Sequence, residues 1–267
     1  MAQESSKGQC LYCEKSYTKR GISSHMDGHL SKKANGNSKG KSYLVEVKPN
    51  PRYWDQNPYF LSLWVDGRTD MGELDDYLRA IWLECCGHMS EFSDPSKEKN
   101  EMDWGMDGYV SFLEKIVQGR VSQDELLRGP DLGEISWEQK AKQVLSEGLK
   151  LDYKYDFGDT TPLQLSVIRE YACKADESIV LLSRNEIPFF PCVKCKTNPS
   201  VVILNDGVEH ALLCKSCYEK ELEEDSSIGD EGFLPVVNSP RMGVCAYTGG
   251  MIDKERDLYQ GVEYVVS

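Results

Sequence analysis

No stretch of the 267-residue sequence approaches the roughly 18 consecutive apolar residues that a membrane span requires. The start, MAQESSKGQC, also lacks the apolar run of a signal peptide, so the expectation is a soluble cytoplasmic protein with no membrane partner. An excess of positive charge is missing as well. The formal net charge is -13, which argues against a broad electrostatic grip on nucleic acid, because phosphate contacts supply most non-specific affinity. Phosphate loop, His-Glu-x-x-His and Gly-x-Ser-x-Gly signatures are all absent. What is present, 40% hydrophobic and 10% aromatic residues, fits a folded chain with one sizeable core and small appendages.

Charge is unevenly placed. Residues 1–41 carry eight Lys/Arg against three acids, a net of +5, and the remainder carries about -18. Ten cysteines are present, several in Cys-x-x-Cys pairs. In a reducing compartment such pairs point to metal rather than to disulfides.

Near the start, CLYCEKSYTKRGISSHMDGH places Cys10 and Cys13 on a knuckle and His25 and His29 at i and i+4. The two imidazoles share one helix face and can converge with the thiolates on a tetrahedral ion. Tyr17 and Ile22 stand where so small a unit needs its apolar core. The segment resembles a Cys2His2 zinc finger, with eleven residues between Cys13 and His25 instead of the usual twelve. Lys15, Lys19, Arg20, Lys32 and Lys33 are candidates for phosphate contact, and Lys19, Arg20 and Ser23 lie near the helix start where base contacts are made. One finger covers only about three base pairs, so nucleic-acid recognition, a protein partner and a purely structural role all stay open.

Late in the chain, Cys192, Cys195, Cys214 and Cys217 form two Cys-x-x-Cys pairs eighteen residues apart. SVVIL and HALL read as strands around the turn NDG, which is the layout of a zinc ribbon closed by four thiolates. His210 reads as a surface residue. Two zinc ions are therefore expected. Cys85 and Cys173 read as small buried hydrophobes, and Cys245 lies isolated in NSPRMGVCAYTGG with no partners for a third site.

Between these modules, Tyr43–Val47 and Tyr59–Val65 read as strands. A helix follows, capped by Thr69 or Asp70, with Leu74, Tyr77, Leu78, Ile81, Cys85 and His88 or Met89 on one apolar stripe. Residues 93–108 read as a polar loop, with shorter helical patterns at 109–118, 122–128 and 136–147. Leu149–Phe157 and Leu163–Arg169 read as an antiparallel hairpin, and Ile179–Ser183, Pro235–Val237 and Gly261–Val266 as further strands. The acidic run from Glu219 to Glu231 reads as a solvated face or loop. The predicted class is α+β, a mixed or antiparallel sheet with helices plus two small zinc modules. Its divisions are a finger (1–30), a flexible linker (31–42), a central domain (43–187), a ribbon (188–222) and a tail (223–267).

Within the central domain, Tyr153, Tyr155, Asp156, Phe157, Gly158 and Asp159 resemble the Tyr-x-Tyr-Asp-Phe-Gly-Asp signature of the plasmid Ri open-reading-frame-three-like family. Residues 63–92 are similar to that family's strand, helix and His-x-x-x-Phe ending, here His88 and Phe92. The resemblance covers roughly 43–187. It implies an α+β fold and a bacterial or archaeal setting linked to plasmids or mobile elements, and little chemistry.

On the residues alone, Tyr153, Tyr155 and Phe157 can fill a core from one strand face, while Asp156 and Asp159 can bond to backbone amides at a turn. The rival places His88, Asp156 and Asp159 in one cleft as a metal or acid–base site of a hydrolase or nuclease. The favoured expectation is a non-enzymatic binding or adaptor protein that recognises nucleic acid or a protein partner in a mobile-element or host-defence context.

Overall fold

A computed structural model describes residues 6–34, 39–54, 57–97, 117–118, 135–205, 210–224 and 233–259. Alternating apolar residues organise it around one sheet. In chain order the strands are β1 (Lys7–Cys10), β2 (Ser16–Thr18), β3 (Ser42–Pro49), β4 (Leu61–Asp66), β5 (Ser90–Ser93), β6 (Lys150–Tyr155), β7 (Thr161–Tyr171) and β8 (Ile179–Asn185). They pair antiparallel throughout in the order β2-β1-β8-β4-β3-β7-β6-β5. The class is α+β, as the sequence predicts, and the β6–β7 pair is the expected antiparallel hairpin.

Both faces of this sheet are covered. Tyr43, Val45 and Val47 of β3 point to one face, where Leu63, Leu151, Tyr153 and Leu165 join them. Helix α2 (Met71–Leu78) closes that side with Met71, Leu74 and Leu78. Glu73 accepts the Asp70 N–H at 3.0 Å, a side-chain cap at the helix start. Leu44, Phe60, Trp64 and Leu182 point to the opposite face, where helix α1 (Lys19–Ala34) packs with Ile22, Met26 and Leu30. Each such buried side chain is worth about 1.5–3 kcal/mol of burial.

The structure therefore departs from a tethered finger. Strand β1 is hydrogen-bonded to β8, with Gly8 opposite Asn185 and Cys10 opposite Ser183. A β-carbon on Gly8 would sit 2.6 Å from the Phe60 ring, so glycine permits this close approach. Helix α1 runs through residues 31–34 of the proposed linker, of which 35–38 lie outside the described residues. Its three-residue apolar stripe, at i, i+4 and i+8, needs a surface larger than the finger, and the sheet supplies it.

Helix α2 also stops sooner than its stripe suggests. It passes into a π-helical turn, Arg79–Leu83, and Glu84 is extended. The helix has ended by the extended Glu84, and beyond it Gly87 takes a left-handed conformation (φ 73°) and donates to the Glu84 carboxylate at 2.6 Å. Cys85, Cys86 and His88 thus lie on a turn and not on a buried helix face. Strand β5 occupies Ser90–Ser93, just ahead of the expected 93–108 loop, and only Ala141–Val144 (α3) of the 136–147 pattern is helical. The patterns at 109–118 (apart from 117–118), 122–128 and Gly261–Val266 lie outside the described residues.

The ribbon carries β9 (Val202–Asn205) and β10 (His210–Leu213), paired antiparallel as expected, and adds β11 (Phe233–Pro235) on the other side of β9. Helix α4 (Lys215–Glu224) occupies the start of the acidic run, and Tyr218 and Phe233 pack edge to face at 4.5 Å between ring centres. The segment after β11 returns to the main sheet. Buried Arg184 of β8 meets Asp253 at 3.0 Å and Asp257, and donates to the Asn238 carbonyl at 2.6 Å. Gly250 lies so close to the π-helical turn that a β-carbon would stand 2.5 Å from the Ile81 carbonyl oxygen. Among the described residues no helix is long and apolar enough to cross a membrane.

Candidate metal centres

Three groups of cysteine and histidine bring their donor atoms within 4.8 Å of one another: Cys10/Cys13/His25/His29, Cys192/Cys195/Cys214/Cys217 and Cys85/Cys86/His88/Cys245. Tetrahedral zinc with bonds of about 2.3 Å to sulfur and about 2.0 Å to nitrogen separates its ligands by roughly 3.8 Å (S···S), 3.5 Å (S···N) and 3.3 Å (N···N). These edges are the standard for each cluster.

In the first, Cys13 Sγ lies 3.3 Å from His25 Nε2, which lies 3.1 Å from His29 Nε2. The knuckle is shaped by the Glu14 N–H donating to the Cys10 carbonyl at 2.8 Å, with Glu14 left-handed at φ 59°. Burial, then the neighbouring His29, lowers the His25 pKa and favours the neutral imidazole that ligates metal. Tyr17 stacks on His25 at 4.0 Å between ring centres. The donor set fits zinc.

The second repeats the same backbone device. The Lys196 N–H donates to the Cys192 carbonyl at 2.8 Å, with Lys196 at φ 62°. Cys195 Sγ and Cys214 Sγ stand 3.8 Å apart, the edge expected of two thiolates on one zinc. The Thr197 hydroxyl, with the amides of Asn198 and Thr197, brings the Cys195 thiol down to about 6. Donors aimed at sulfur stabilise the thiolate that a metal requires. The His210 side chain lies outside the described ones.

The third cluster has no counterpart in the sequence-based expectation, which leaves Cys245 alone. Cys245 comes within 3.5 Å of Cys86 Sγ and 3.6 Å of His88 Nε2, across 159 and 157 residues of chain. Its signal was Cys-Cys-Gly-His: three donors around a left-handed glycine, just past the helix end at Leu83. Cys173 is buried, as expected, whereas Cys85 is only partly so.

The candidate catalytic residues are arranged differently. Asp156, left-handed at φ 65°, closes the β6–β7 turn. Its Oδ1 accepts the amides of Gly158 at 2.9 Å and Asp159 at 3.3 Å, and its Oδ2 accepts from Arg241 at 2.6 Å. Burial raises its pKa, but Arg241 and the two amides outweigh that and hold the carboxyl below its ordinary range. His88 Nε2 approaches Asp156 Oδ2 at 3.5 Å, while Asp159 is exposed and engages Arg241 through its backbone carbonyl. Phe157 is 49% exposed, because β6 ends at Tyr155 and the left-handed Asp156 turns the chain outward. Only Tyr153 and Tyr155 of the three aromatics enter the core. Tyr153 donates to Asp75 at 2.6 Å, and Tyr155 lies between Arg79 and Arg241, at 5.3 and 4.8 Å from its ring.

The basic residues of the finger also divide. Lys19 donates to the carbonyls of Asn57 and Tyr59 at 3.3 and 3.4 Å, Ser23 to Glu46 at 3.2 Å, and Lys33 pairs with Asp176. Those three face the body. Arg20, Ser24, Gly28 and Lys32 recur every fourth residue on the solvent side of α1, and Lys15 is exposed beside the knuckle.

No family model matches the chain, and no curated protein matches it. Among solved structures it is similar to a protein of unknown function from Methanosarcina mazei Go1, at 13% identity and a TM-score of 0.35, over 73% of this chain and 87% of that one.

Proposed function

We propose that the protein is a zinc-stapled, non-enzymatic binding protein, with zinc at the first two clusters and a contact surface on the outer face of α1. The observation that carries the proposal is the employment of Asp156. Its carboxylate is bonded to two backbone amides and a buried arginine, as a structural turn anchor is. A general base or metal ligand needs a free lone pair aimed at substrate or ion. Both zinc clusters offer four protein ligands and no open position, the pattern of folding sites.

The outer stripe of α1 brings Arg20 and Lys32 to solvent on an otherwise acidic molecule. It suits a polyanionic partner held through phosphates, with nucleic acid the candidate, in the plasmid or mobile-element setting that the resemblance to the plasmid Ri open-reading-frame-three-like family implies, or in host defence. Base reading is not supported, because Lys19 and Ser23 at the helix start are bonded to the body. Two or three phosphate contacts give a salt slope of only about −2 to −3 in log K against log salt.

Fluorescence anisotropy on duplex DNA and on RNA tests this. Weak, sequence-insensitive binding with that slope is expected, lost in the Arg20→Glu/Lys32→Glu variant. No binding at low salt removes nucleic acid and leaves a protein partner. Among the described residues, the 3.5 Å approach of His88 to Asp156 is the contact that favours a hydrolase or nuclease. Substrate turnover lost in His88→Ala and Asp159→Ala, with thermal stability intact, would replace the binding proposal with that one.

A further inference from the structure

We infer that Cys85, Cys86, His88 and Cys245 form a third zinc site, of Cys3His type, which clasps the C-terminal segment to the turn after α2. Four soft or borderline donors and no carboxylate make up the set, the chemistry that selects zinc among the common divalent ions. Two edges of this cluster, 3.5 Å between Cys86 and Cys245 sulfurs and 3.6 Å from Cys245 Sγ to His88 Nε2, fall within about 0.3 Å of the tetrahedral values. Neither approaches the sulfur–sulfur bond of about 2.05 Å in a disulfide.

The backbone is shaped to deliver these donors. Gly87 immediately follows Cys86 in a left-handed conformation, as Glu14 follows Cys13 and Lys196 follows Cys195 at the other two clusters. Cys245 itself is left-handed at φ 54°, a conformation that costs a non-glycine residue energy and persists where surrounding structure enforces it. Around the donors stands a supporting shell. The Cys85 N–H points to the Tyr155 hydroxyl at 3.4 Å, and the Arg241 guanidinium lies 3.6 Å from Cys85 Sγ. Three thiolates and one imidazole on Zn²⁺ leave a net charge of −1, and the buried Arg241 guanidinium, shared with Asp156, lies beside one thiolate and offsets part of it.

The site also has a mechanical consequence. Cys85, Cys86 and His88 belong to the turn that ends α2, whereas Cys245 belongs to the segment anchored by Arg184 and Arg241. An ion at this point cross-links two parts of the chain 157 residues apart or more, and shrinks the unfolded ensemble as a long-loop disulfide would. It also fixes His88 and the Asp156 turn. The 3.5 Å approach of His88 to Asp156 is then a by-product of ligation, because the same Nε2 faces the metal position.

The test is zinc content per chain of the full-length protein, purified with zinc present and dialysed free of excess, read by mass spectrometry of the native species. Three zinc ions are expected in the unmodified protein and two in Cys245→Ser. Two ions in the unmodified protein overturn the inference while leaving the first two sites standing, so its failure is distinct from theirs. Three ions retained in Cys245→Ser overturn it too. Should that variant fail to fold, alkylation of the unmodified protein, denatured with chelator and without reductant, decides alongside the native count. All ten cysteines alkylated with three ions bound supports the site, and a protected Cys86–Cys245 pair contradicts it.

Discussion

Replacing Met26 by alanine tests whether the finger is part of the main fold. Met26 is fully buried between Ile22 and Leu30 on α1, in one cluster with Leu44, Phe60 and Trp64 of the sheet. Its truncation removes apolar burial and leaves a cavity between helix and sheet, at a cost of about 2–4 kcal/mol. With a urea dependence of about 2–3 kcal/mol per molar, the unfolding midpoint should fall by about 1 M. The assay is urea unfolding followed by tryptophan fluorescence with zinc saturating. Trp64 lies in β4 beneath α1, so it reports the sheet and not the finger alone. Ser24→Ala, on the exposed side of the same helix, is the control and should leave the midpoint within experimental error. An unchanged midpoint in Met26→Ala, with only local loss of finger zinc, would refute the packing and restore an independent finger. The same contact warns against deleting residues 1–41 to test nucleic-acid binding, because deletion would uncover Phe60, Trp64 and Leu182.

Arg241→Met should cost about 3–5 kcal/mol, since it leaves the Asp156 carboxylate in a buried site without its counter-charge. Faster proteolysis after residue 238 and a lower Tm would register it, and an unchanged Tm would show that the pair contributes nothing. Burial raises the pKa of Asp66, but Arg68 and the amides of Arg68 and Ala175 outweigh it and lower the value. The stabilisation is therefore present above the unfolded pKa of about 3.9 and lost as pH falls through the lower folded value. Asp66→Asn should be less stable than the parent at pH 6, with the gap closing as pH falls below the unfolded value and through the lower folded one. A gap independent of pH would contradict it.

Strands carried their own evidence. The alternation in Leu163, Leu165 and Val167 located β7, and Val202–Asn205 with His210–Leu213 located the ribbon hairpin, because one-face burial imposes a period of two. Both expected ligand sets were legible because Cys-x-x-Cys spacing is a local requirement of the knuckle. What lay hidden depended on contacts distant in sequence. Pairing of β1 with β8 joins residues about 175 apart and leaves no periodic trace. Cys245 reaches Cys86 on a tail segment that Arg241 and Arg184 hold against the main sheet. The helix end at Leu83 was missed because the apolar stripe suggested continuation, although Gly87 lies just beyond as a signal that the helix cannot run on to His88.

The central claim, that the metals are closed folding elements and do not perform chemistry, is tested most directly by zinc-edge X-ray absorption. Two or three filled clusters give the same average per ion, three sulfurs and one nitrogen. The prediction is therefore a first shell of sulfur at about 2.3 Å and nitrogen at about 2.0 Å in that ratio, with no oxygen. A first-shell oxygen, or an average coordination above four, would reveal an open zinc with a bound water and contradict the account.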